Sequence, residues 1–333
     1  MRDRALNRRD FLFVAFGLAC IHGYADALGQ TRPSRVARVG VLSGLSRANS
    51  TTYLRLPDAL RDLDWIEGKN IVIDWRFANG EPTDLARLAS QLVQLNPAAI
   101  VAGTNFEAEA VLAISHVIPI VLWTGLDPVG SGLARSLAHP GGSVTGLLWA
   151  DPGLAAKMLD VFHEAVPSMR RVAVLYDARF PGIETYLDAD RATAKSLNIE
   201  LVTFPVGGVE DFDGVFARMH ETRVDGVKIV PAGVVSARLD GVLAFSALQR
   251  LPTIYTAQYP IERGGFLAYT PNQSEVLSRV AALVDKVLKG ESPANMPFEH
   301  PTRFELTVNL RAAQTLGINV PQSILLRAER IIR

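Results

Sequence analysis

Residues 98–125 read AAIVAGTNFEAEAVLAISHVIPIVLWTG, and this stretch decides the predicted fold. An apolar run at Ala98–Ala102 ends in small polar residues, a helical pattern follows at Glu107–Ser115, and a second apolar run occupies Ile118–Trp123. Short apolar runs bounded by glycine and hydroxyl residues are typical of buried strands. The stretch therefore predicts a β-α-β unit with two parallel strands.

The same alternation of apolar runs and amphipathic segments extends over the rest of the chain, and the order of elements recurs in its two halves. Such a pattern predicts an α/β protein with two doubly wound, flavodoxin-like lobes. The chain is expected to change lobes near Val144–Trp149 and again near Phe266–Tyr269. The predicted first lobe comprises residues 36–146 and 270–300, and the predicted second lobe comprises residues 147–269 and 301–333.

The first 27 residues have the features of an export signal. A charged segment with Arg8-Arg9 precedes the apolar run Phe11–Ile21, and Ala25-Asp26-Ala27 provides a small-residue cleavage site. Eleven residues form about 16 Å of helix, too short to span a bilayer. We predict a twin-arginine-like signal peptide cleaved near Ala27 and a periplasmic mature protein. A lipid anchor at Cys20 is the less favoured alternative, because the residue three positions before it is glycine.

The composition narrows the possible partners. Without residues 1–27 the chain has 30 basic and 31 acidic residues, so no strong field would attract nucleic acid or an anionic membrane. The single cysteine lies within the signal, which leaves no disulfide or thiolate metal ligand in the predicted mature chain. Its length suits about two domains, and we expect a monomer.

Catalytic and metal-binding motifs are missing from the sequence. Gly130-Ser131-Gly132 lacks the G-x-S-x-G spacing of a nucleophile elbow, and neither a phosphate-binding nor a dinucleotide-binding glycine motif is present. The histidines form no H-x-x-x-H or H-E-x-x-H pair. We therefore predict no catalytic residue, no metal and no cofactor, with an exported α/β enzyme kept as an alternative.

A ligand site is expected in the loops that follow the strands, because open α/β sheets bind ligands beyond the carboxyl ends of their strands. Such loops contain Ser43-Gly44 and Thr104-Asn105, which precede helices and suit an anion. Asp127 could face an ammonium group or mark a turn before proline. These residue types also cap helices that bind no ligand.

Aromatic residues at strand ends could sandwich a flat or apolar ligand, although ordinary packing is the alternative for each. Trp149 falls at a predicted lobe crossing, where it could either pack or form the cleft floor. The predicted ligand-binding set is Ser43, Gly44, Thr104, Asn105, Trp123, Asp127, Tyr176, Asp177 and Tyr255.

The chain resembles the solute-binding proteins of ABC importers, in the group that includes tryptophan/tyrosine-type binding proteins. The resemblance covers nearly the whole length and depends on the order and spacing of several motifs. Asp64-Trp65 departs from it, since many relatives have Gly-Tyr there. The motifs are Arg8–Leu12, Leu63–Asn70, Ile118–Val121, Asp127–Val129, Ser136–Gly146, Gly264–Phe266, Leu288–Ala294, Pro301–Leu306, Asn309–Ala313 and Leu316-Gly317.

The resemblance implies a type I periplasmic-binding fold, in which a three-strand hinge joins two lobes around a ligand cleft. It also implies a small-molecule ligand, delivery to an ABC permease in the membrane, and closure of the lobes about the hinge. A small carboxylate or an amino-acid-like, possibly aromatic, ligand is expected. By this likeness Ser43, Thr104 and Asn105 would bind its anionic group, and Tyr176 and Asp177 would close over it. A ligand-sensing domain for a membrane receptor remains open as an alternative.

Overall fold

A computed structural model describes residues 36–149, 152–230 and 233–333. The predicted signal peptide and the polar linker up to residue 35 lie outside the described residues. Among the described residues, no helix combines the length and apolar character that crossing a membrane requires.

Five parallel strands form the first sheet, in the order β2-β1-β3-β4-β5. This is the flavodoxin-like order, in which the chain reverses direction across the sheet between β1 and β3. Their buried side chains are almost entirely aliphatic, as expected for a sheet covered on both faces. The strands are β1 (Ala37–Ser43), β2 (Ile71–Phe77), β3 (Ala99–Ala102), β4 (Ile120–Gly125) and β5 (Val144–Leu148).

The second sheet has seven strands in the order β12-β11-β10-β9-β8-β6-β7. From β7 to β10 it repeats the order of the first sheet with parallel pairs, whereas β11 pairs antiparallel with β10. The strands are β6 (Arg171–Asp177), β7 (Glu200–Val206), β8 (Gly226–Ile229), β9 (Thr253–Tyr255), β10 (Leu267–Pro271), β11 (Phe304–Asn309) and β12 (Arg330–Ile332).

Helices cover both sheets and bury one apolar face each. In the helix at residues 85–94, for example, Leu85, Leu88 and Leu92 are buried at helical spacing. The helices are α1 (Leu56–Arg61), α2 (Leu85–Gln94), α3 (Asn105–Leu112), α4 (Pro152–Ala165), α5 (Ile183–Ser196), α6 (Phe212–Thr222), α7 (Val234–Ala237), α8 (Leu239–Leu248), α9 (Tyr259–Glu262), α10 (Gln273–Leu288), α11 (Leu310–Leu316) and α12 (Gln322–Arg327).

Helix α10 follows a strand of the second sheet but packs on the first. Its buried residues Val276, Val280 and Val284 share a hydrophobic core with β1, β3 and β4. We call β1–β5 with α1–α3 and α10 the first lobe, and β6–β12 with the remaining helices the second lobe. The chain thus passes between lobes after β5, after β10 and before β11.

The predicted fold class is confirmed: the structure is α/β, with two mostly parallel, doubly wound sheets. The lobe boundaries given above from the sequence stay a prediction. Sequence periodicity missed β12 and the four-residue helices α7 and α9, because three or four residues are too few to show a period.

Candidate ligand-binding site

A cavity of about 200 Å³ lies between the carboxyl ends of the two sheets. Both lobes line the cavity at the point where the strand order of each sheet reverses. This point lies between β1 and β3 in the first sheet and between β6 and β8 in the second. Its main polar and aromatic lining residues are Ser43, Asn49, Thr51, Thr52, Tyr53, Thr104, Phe106, Glu107, Trp123, Thr124, Trp149, Phe180, Ser236, Thr256, Gln258 and Tyr259.

Four residues of the predicted ligand-binding set line this cavity: Ser43, Gly44, Thr104 and Trp123. Ser43 ends β1, and its hydroxyl accepts the Leu45 N–H at 3.2 Å. Thr104 follows β3 as the N-cap of α3. The structure therefore brings strand-end residues of the first sheet together at one wall.

Asn105 and Asp127 do not line the cavity, because other groups engage their side chains. The buried Asn105 amide donates to the Leu126 carbonyl at 2.7 Å and accepts the Leu126 N–H at 3.0 Å. Asp127 has a left-handed backbone with φ of 41°. Its carboxylate accepts the Gly130 N–H at 2.8 Å and the Thr185 hydroxyl at 3.1 Å.

Tyr176, Asp177 and Tyr255 also lie outside the cavity lining. Tyr176 and Tyr255 pack in the two hydrophobic cores of the second lobe, because successive side chains of a strand alternate between helix-covered faces. Asp177 is fully buried, and its carboxylate accepts the Val234 N–H at 3.1 Å and the Arg179 N–H at 2.9 Å. That carboxylate joins the end of β6 to the start of α7.

Glu107 is a carboxylate in the cavity wall that was absent from the predicted set. It is 3% exposed and forms a capping box with Thr104, whose N–H donates to it at 2.8 Å. The Thr104 hydroxyl and the Gly44 N–H also hydrogen bond to this carboxylate. Glu107 thus occupies the backbone N–H groups of Thr104 and Gly44, which a ligand anion could otherwise use.

Burial raises the pKa of Glu107, and the hydrogen bonds from Thr104 and Gly44 oppose that rise. Nearby, burial and the Glu107 charge raise the pKa of the Tyr53 phenol, which therefore stays protonated at neutral pH. The Tyr53 ring stacks on Trp123 with centroids 4.3 Å apart and planes inclined by 20°. The first-lobe wall thus combines an acidic group with a paired aromatic surface.

The second-lobe wall is largely aromatic. The Trp149 indole N–H donates to the Thr256 carbonyl at 3.3 Å, and its ring stacks on Tyr186 at 5.6 Å. The Tyr259 hydroxyl lies 3.0 Å from the Ser236 hydroxyl, and burial raises its pKa to about 12. This wall therefore presents neutral aromatic rings to the cavity.

The charged residues in the cavity lining are all acidic. Among the described residues that line the cavity, Glu107 and Glu262 carry carboxylates and none is lysine or arginine. The described part of the chain also contains no cluster of three or more His, Cys, Asp or Glu side chains that could hold a metal ion. The cavity is thus built for hydrogen bonding, stacking and attraction of positive charge.

Side chains from the two lobes touch beside the cavity. Phe106 from α3 contacts Phe180, which follows β6, and the hydroxyl of Thr185 on α5 reaches Asp127. On another edge, a Cβ placed on Gly80 would lie 2.6 Å from the Cβ of Ala237. The lobes are therefore closed around the cavity.

Residues 38–332 match a protein family described as ABC transporter substrate binding protein. A tyrosine-binding protein of Clostridioides difficile is 22% identical over 251 residues, which cover 75% of this chain and 72% of that protein.

Several solved structures share the fold, and two of them illustrate the likeness. The ABC domain from Streptococcus pneumoniae in complex with L-Trp has a TM-score of 0.82 at 23% identity, with 89% of this chain and 99% of that chain covered. A leucine binding protein, LivK, of Thermotoga maritima has a TM-score of 0.54 at 16% identity, with coverage of 78% and 79%.

Proposed function

The chain belongs to the ABC transporter substrate binding protein family, and from this premise we propose that its cavity captures a single amino acid with an aromatic or other apolar side chain. Proteins of this family are extracytoplasmic, bind small-molecule ligands rather than transform them, and work with membrane permeases. The chain is accordingly a solute-binding protein and not an enzyme.

The observation that carries the proposal is the combination of a carboxylate and several hydroxyl groups in the cavity lining. Glu107 offers a buried carboxylate, and the hydroxyls of Ser43, Thr51 and Thr52 line the same first-lobe wall. An α-ammonium group would hydrogen bond to Glu107, and the α-carboxylate would accept hydrogen bonds from the hydroxyls. We propose Glu107 rather than Asp127 as the ammonium partner, because Glu107 lines the cavity and Asp127 does not.

The aromatic rings of both lobes support an aromatic or apolar side chain on the ligand. Trp123, Phe106 and Trp149 line the cavity, and flat rings suit stacked or edge-to-face contacts with one another. A relative named as a tyrosine-binding protein and a fold neighbour solved with L-Trp support the same class. A volume of about 200 Å³ suits a single amino acid rather than a peptide.

We propose that the ligand is trapped by closure of the lobes about their three connecting segments. It would contact the first-lobe wall first, and closure would then bring Trp149 and Phe180 over it and expel water. The permease would recognise the closed surface. We further propose that residues 1–27 direct export and are removed near Ala27, and that the mature protein is a monomer with no nucleic-acid partner.

A calorimetric and thermal-shift screen of the purified protein against the standard amino acids, small carboxylates and sugars tests the proposal. We expect an aromatic or large apolar L-amino acid to raise the melting temperature and to shrink the scattering radius. N-acetylation of that ligand removes its ammonium charge and should abolish binding. Preferential binding of sugars, or of carboxylates without an amine, would contradict the proposal.

The variant Glu107→Gln tests the proposed interaction between the ligand's ammonium group and Glu107, because it keeps the shape of the side chain and removes its charge. Hydrogen bonds to charged groups contribute about 1.5–3 kcal/mol, so affinity should fall roughly 10- to 100-fold. Glu109→Gln on the same helix is the matched control, since Glu109 does not line the cavity. Equal affinities of the two variants would remove Glu107 from the site.

A further inference from the structure

Gln258 lies in the loop after β9 as the N-cap of α9, and it lines the cavity from the second lobe. Its side-chain amide nitrogen donates to the hydroxyl of Thr307 at 2.6 Å. Thr307 is fully buried in β11, next to a segment where the chain passes between lobes. One end of the Gln258 amide is therefore anchored to a fully buried side chain.

The other end of the amide lacks a partner. The Gln258 Oε1 atom is buried and accepts no hydrogen bond from the described residues. Its polar neighbours on the same wall are engaged, because the Trp149 indole N–H reaches the Thr256 carbonyl and Tyr259 meets Ser236. A buried carbonyl oxygen is costly to leave unpaired, so this atom needs a donor that the described wall does not supply.

The position of Gln258 indicates which part of a ligand would reach it. Glu107 and the threonine hydroxyls that suit an amino acid's head group belong to the first lobe. Gln258 belongs to the opposite lobe, beside the aromatic wall that would receive the side chain. A donor that reaches its Oε1 therefore belongs to the far end of the ligand, beyond the head group.

We infer that Gln258 Oε1 accepts a hydrogen bond from an N–H or O–H group on the ligand's ring, which makes Gln258 a specificity-determining residue. The cavity then selects an aromatic amino acid that carries a ring donor over an isosteric ring that lacks one. This inference rests on the proposed function, since it assumes that an aromatic amino acid binds. It adds the chemical feature of the side chain that is recognised.

The expected discrimination follows from the cost of an unpaired buried acceptor. A ligand without the donor would leave the buried Gln258 Oε1 without a hydrogen-bond partner, whereas a ligand with the donor would satisfy it. One such loss corresponds to about a 10- to 100-fold difference in affinity. An apolar pocket that lacked the acceptor would bind both members of an isosteric pair about equally.

The test is titration calorimetry of the full chain with two ligand pairs. Tyrosine and phenylalanine differ by a ring hydroxyl, and tryptophan and 3-benzothienylalanine differ by N–H against sulfur in rings of similar shape. The wild-type protein should prefer the donor-bearing member of the pair that it binds by at least about 10-fold. Gln258→Leu should reduce this preference to nearly one, mainly by weakening the donor-bearing ligand.

Two further variants distinguish the acceptor from a packing effect. Gln258→Glu keeps oxygen acceptors at this position and should retain the preference. Thr307→Val removes the hydroxyl that anchors the Gln258 amide and should therefore weaken the preference. This variant tests the inference independently if Gln258→Leu does not fold. Gln314→Leu, at an exposed position on α11, is the control and should match the wild type.

The outcomes separate the inference from the proposed function. If the wild-type protein binds both members of a pair equally, or Gln258→Leu keeps the preference, the assignment of Gln258 is overturned while amino-acid binding stands. If no amino acid binds, both the inference and the proposed function fall. A preference that is lost in Gln258→Leu and kept in Gln258→Glu supports the inference.

Discussion

The ring of Phe106, from the first lobe, meets the ring of Phe180, from the second lobe, edge to face with centroids 5.2 Å apart and planes at 84°. Phe106 packs at the same time against the cores of both lobes. An edge-to-face pair contributes about 0.5–1.5 kcal/mol beyond the area it buries. This contact therefore favours the closed arrangement without any help from a ligand.

Phe106→Leu should shift the ligand-free protein toward an open arrangement. Loss of the ring pair lowers the equilibrium constant for closure by roughly 2- to 10-fold. Because Phe106 also lines the cavity, the decisive measurement is the scattering radius without ligand, which should increase. Phe216→Leu removes a stacked pair with Phe245 inside the second lobe and should leave the radius unchanged. Equal radii for both variants would contradict the prediction.

Glu275 joins two of the segments that connect the lobes. It lies in the first turn of α10, and its carboxylate accepts the Thr302 N–H at 3.0 Å, the Thr302 hydroxyl at 2.7 Å and the Arg303 N–H at 2.9 Å. Arg279 adds a bond at 3.0 Å. Desolvation raises the pKa of Glu275, but these hydrogen bonds outweigh it and lower the pKa from 4.5 to about 2.

The lowered pKa gives the protein a defined acid sensitivity. The ionised Glu275 stabilises the fold fully above the unfolded value of 4.5, and this contribution is lost as the pH falls from 4.5 to about 2. The shift corresponds to about 3 kcal/mol. In urea unfolding, the stability difference between wild type and Glu275→Gln should shrink over that pH range. The exposed Glu291→Gln is the control, and a pH-independent difference would contradict the prediction.

Lys228 and Asp190 form a fully buried ion pair inside the second lobe. The ammonium group also donates to the Ala155 carbonyl at 3.1 Å and lies 4.5 Å from the centre of the Tyr186 ring. Burial lowers the pKa of Lys228 and raises the pKa of Asp190, and the two charges oppose both shifts. Each buried charge is therefore stabilised by the charge of its partner.

Lys228→Met should destabilise the protein by about 3–5 kcal/mol, because it leaves Asp190 buried and unpaired. The double variant Lys228→Met/Asp190→Leu removes both charges and should recover most of that loss. Urea unfolding at neutral pH measures both. If the double variant is as unstable as the single one, packing around the pair rather than its charge determines the cost.

The fold class could be predicted from the sequence because buried apolar residues recur at the period of the helix or strand that contains them. Leu85, Leu88 and Leu92 repeat at helical spacing, and strands such as β3 and β4 are largely continuous apolar runs. The repeated strand order then follows from packing helices on both faces of a parallel sheet. Helical spacing and apolar runs involve residues that are close in sequence, so both can be recognised from the sequence alone.

The cavity was predicted only in part, because strand ends do not reveal where side chains point. The T-x-x-E pattern at Thr104 and Glu107 could have identified the capping box from the sequence alone. In contrast, Gln258 and Thr307 are 49 positions apart, and no local pattern records their contact. Tyr255 was predicted to bind ligand from its position at the end of a strand, but its side chain packs on a helix-covered face of the second sheet.

Gly80 and Gly68 provide a matched pair that tests whether lobe closure is needed for binding. Both glycines have a left-handed backbone, with φ of 85° and 80°. A Cβ on Gly80 would lie 2.6 Å from the Cβ and 2.8 Å from the Cα of Ala237 in the opposite lobe, whereas a Cβ on Gly68 would meet nothing within 4 Å. The two alanine variants therefore share backbone strain and differ in the clash between lobes. Because Gly80 also lines the cavity, the scattering radius with saturating ligand distinguishes impaired closure from direct contact with the ligand.

Both Gly80→Ala and Gly68→Ala should lower the free energy of unfolding by about 1 kcal/mol, because alanine disfavours the left-handed conformation. Gly80→Ala should in addition weaken ligand binding by roughly 5- to 100-fold, since overpacking of about 1–3 kcal/mol opposes the closed state. Gly68→Ala should bind as the wild type does. Calorimetry and the scattering radius with saturating ligand measure the effect. Similar affinities for the two variants would show that binding does not require the lobes to meet at Gly80 and Ala237.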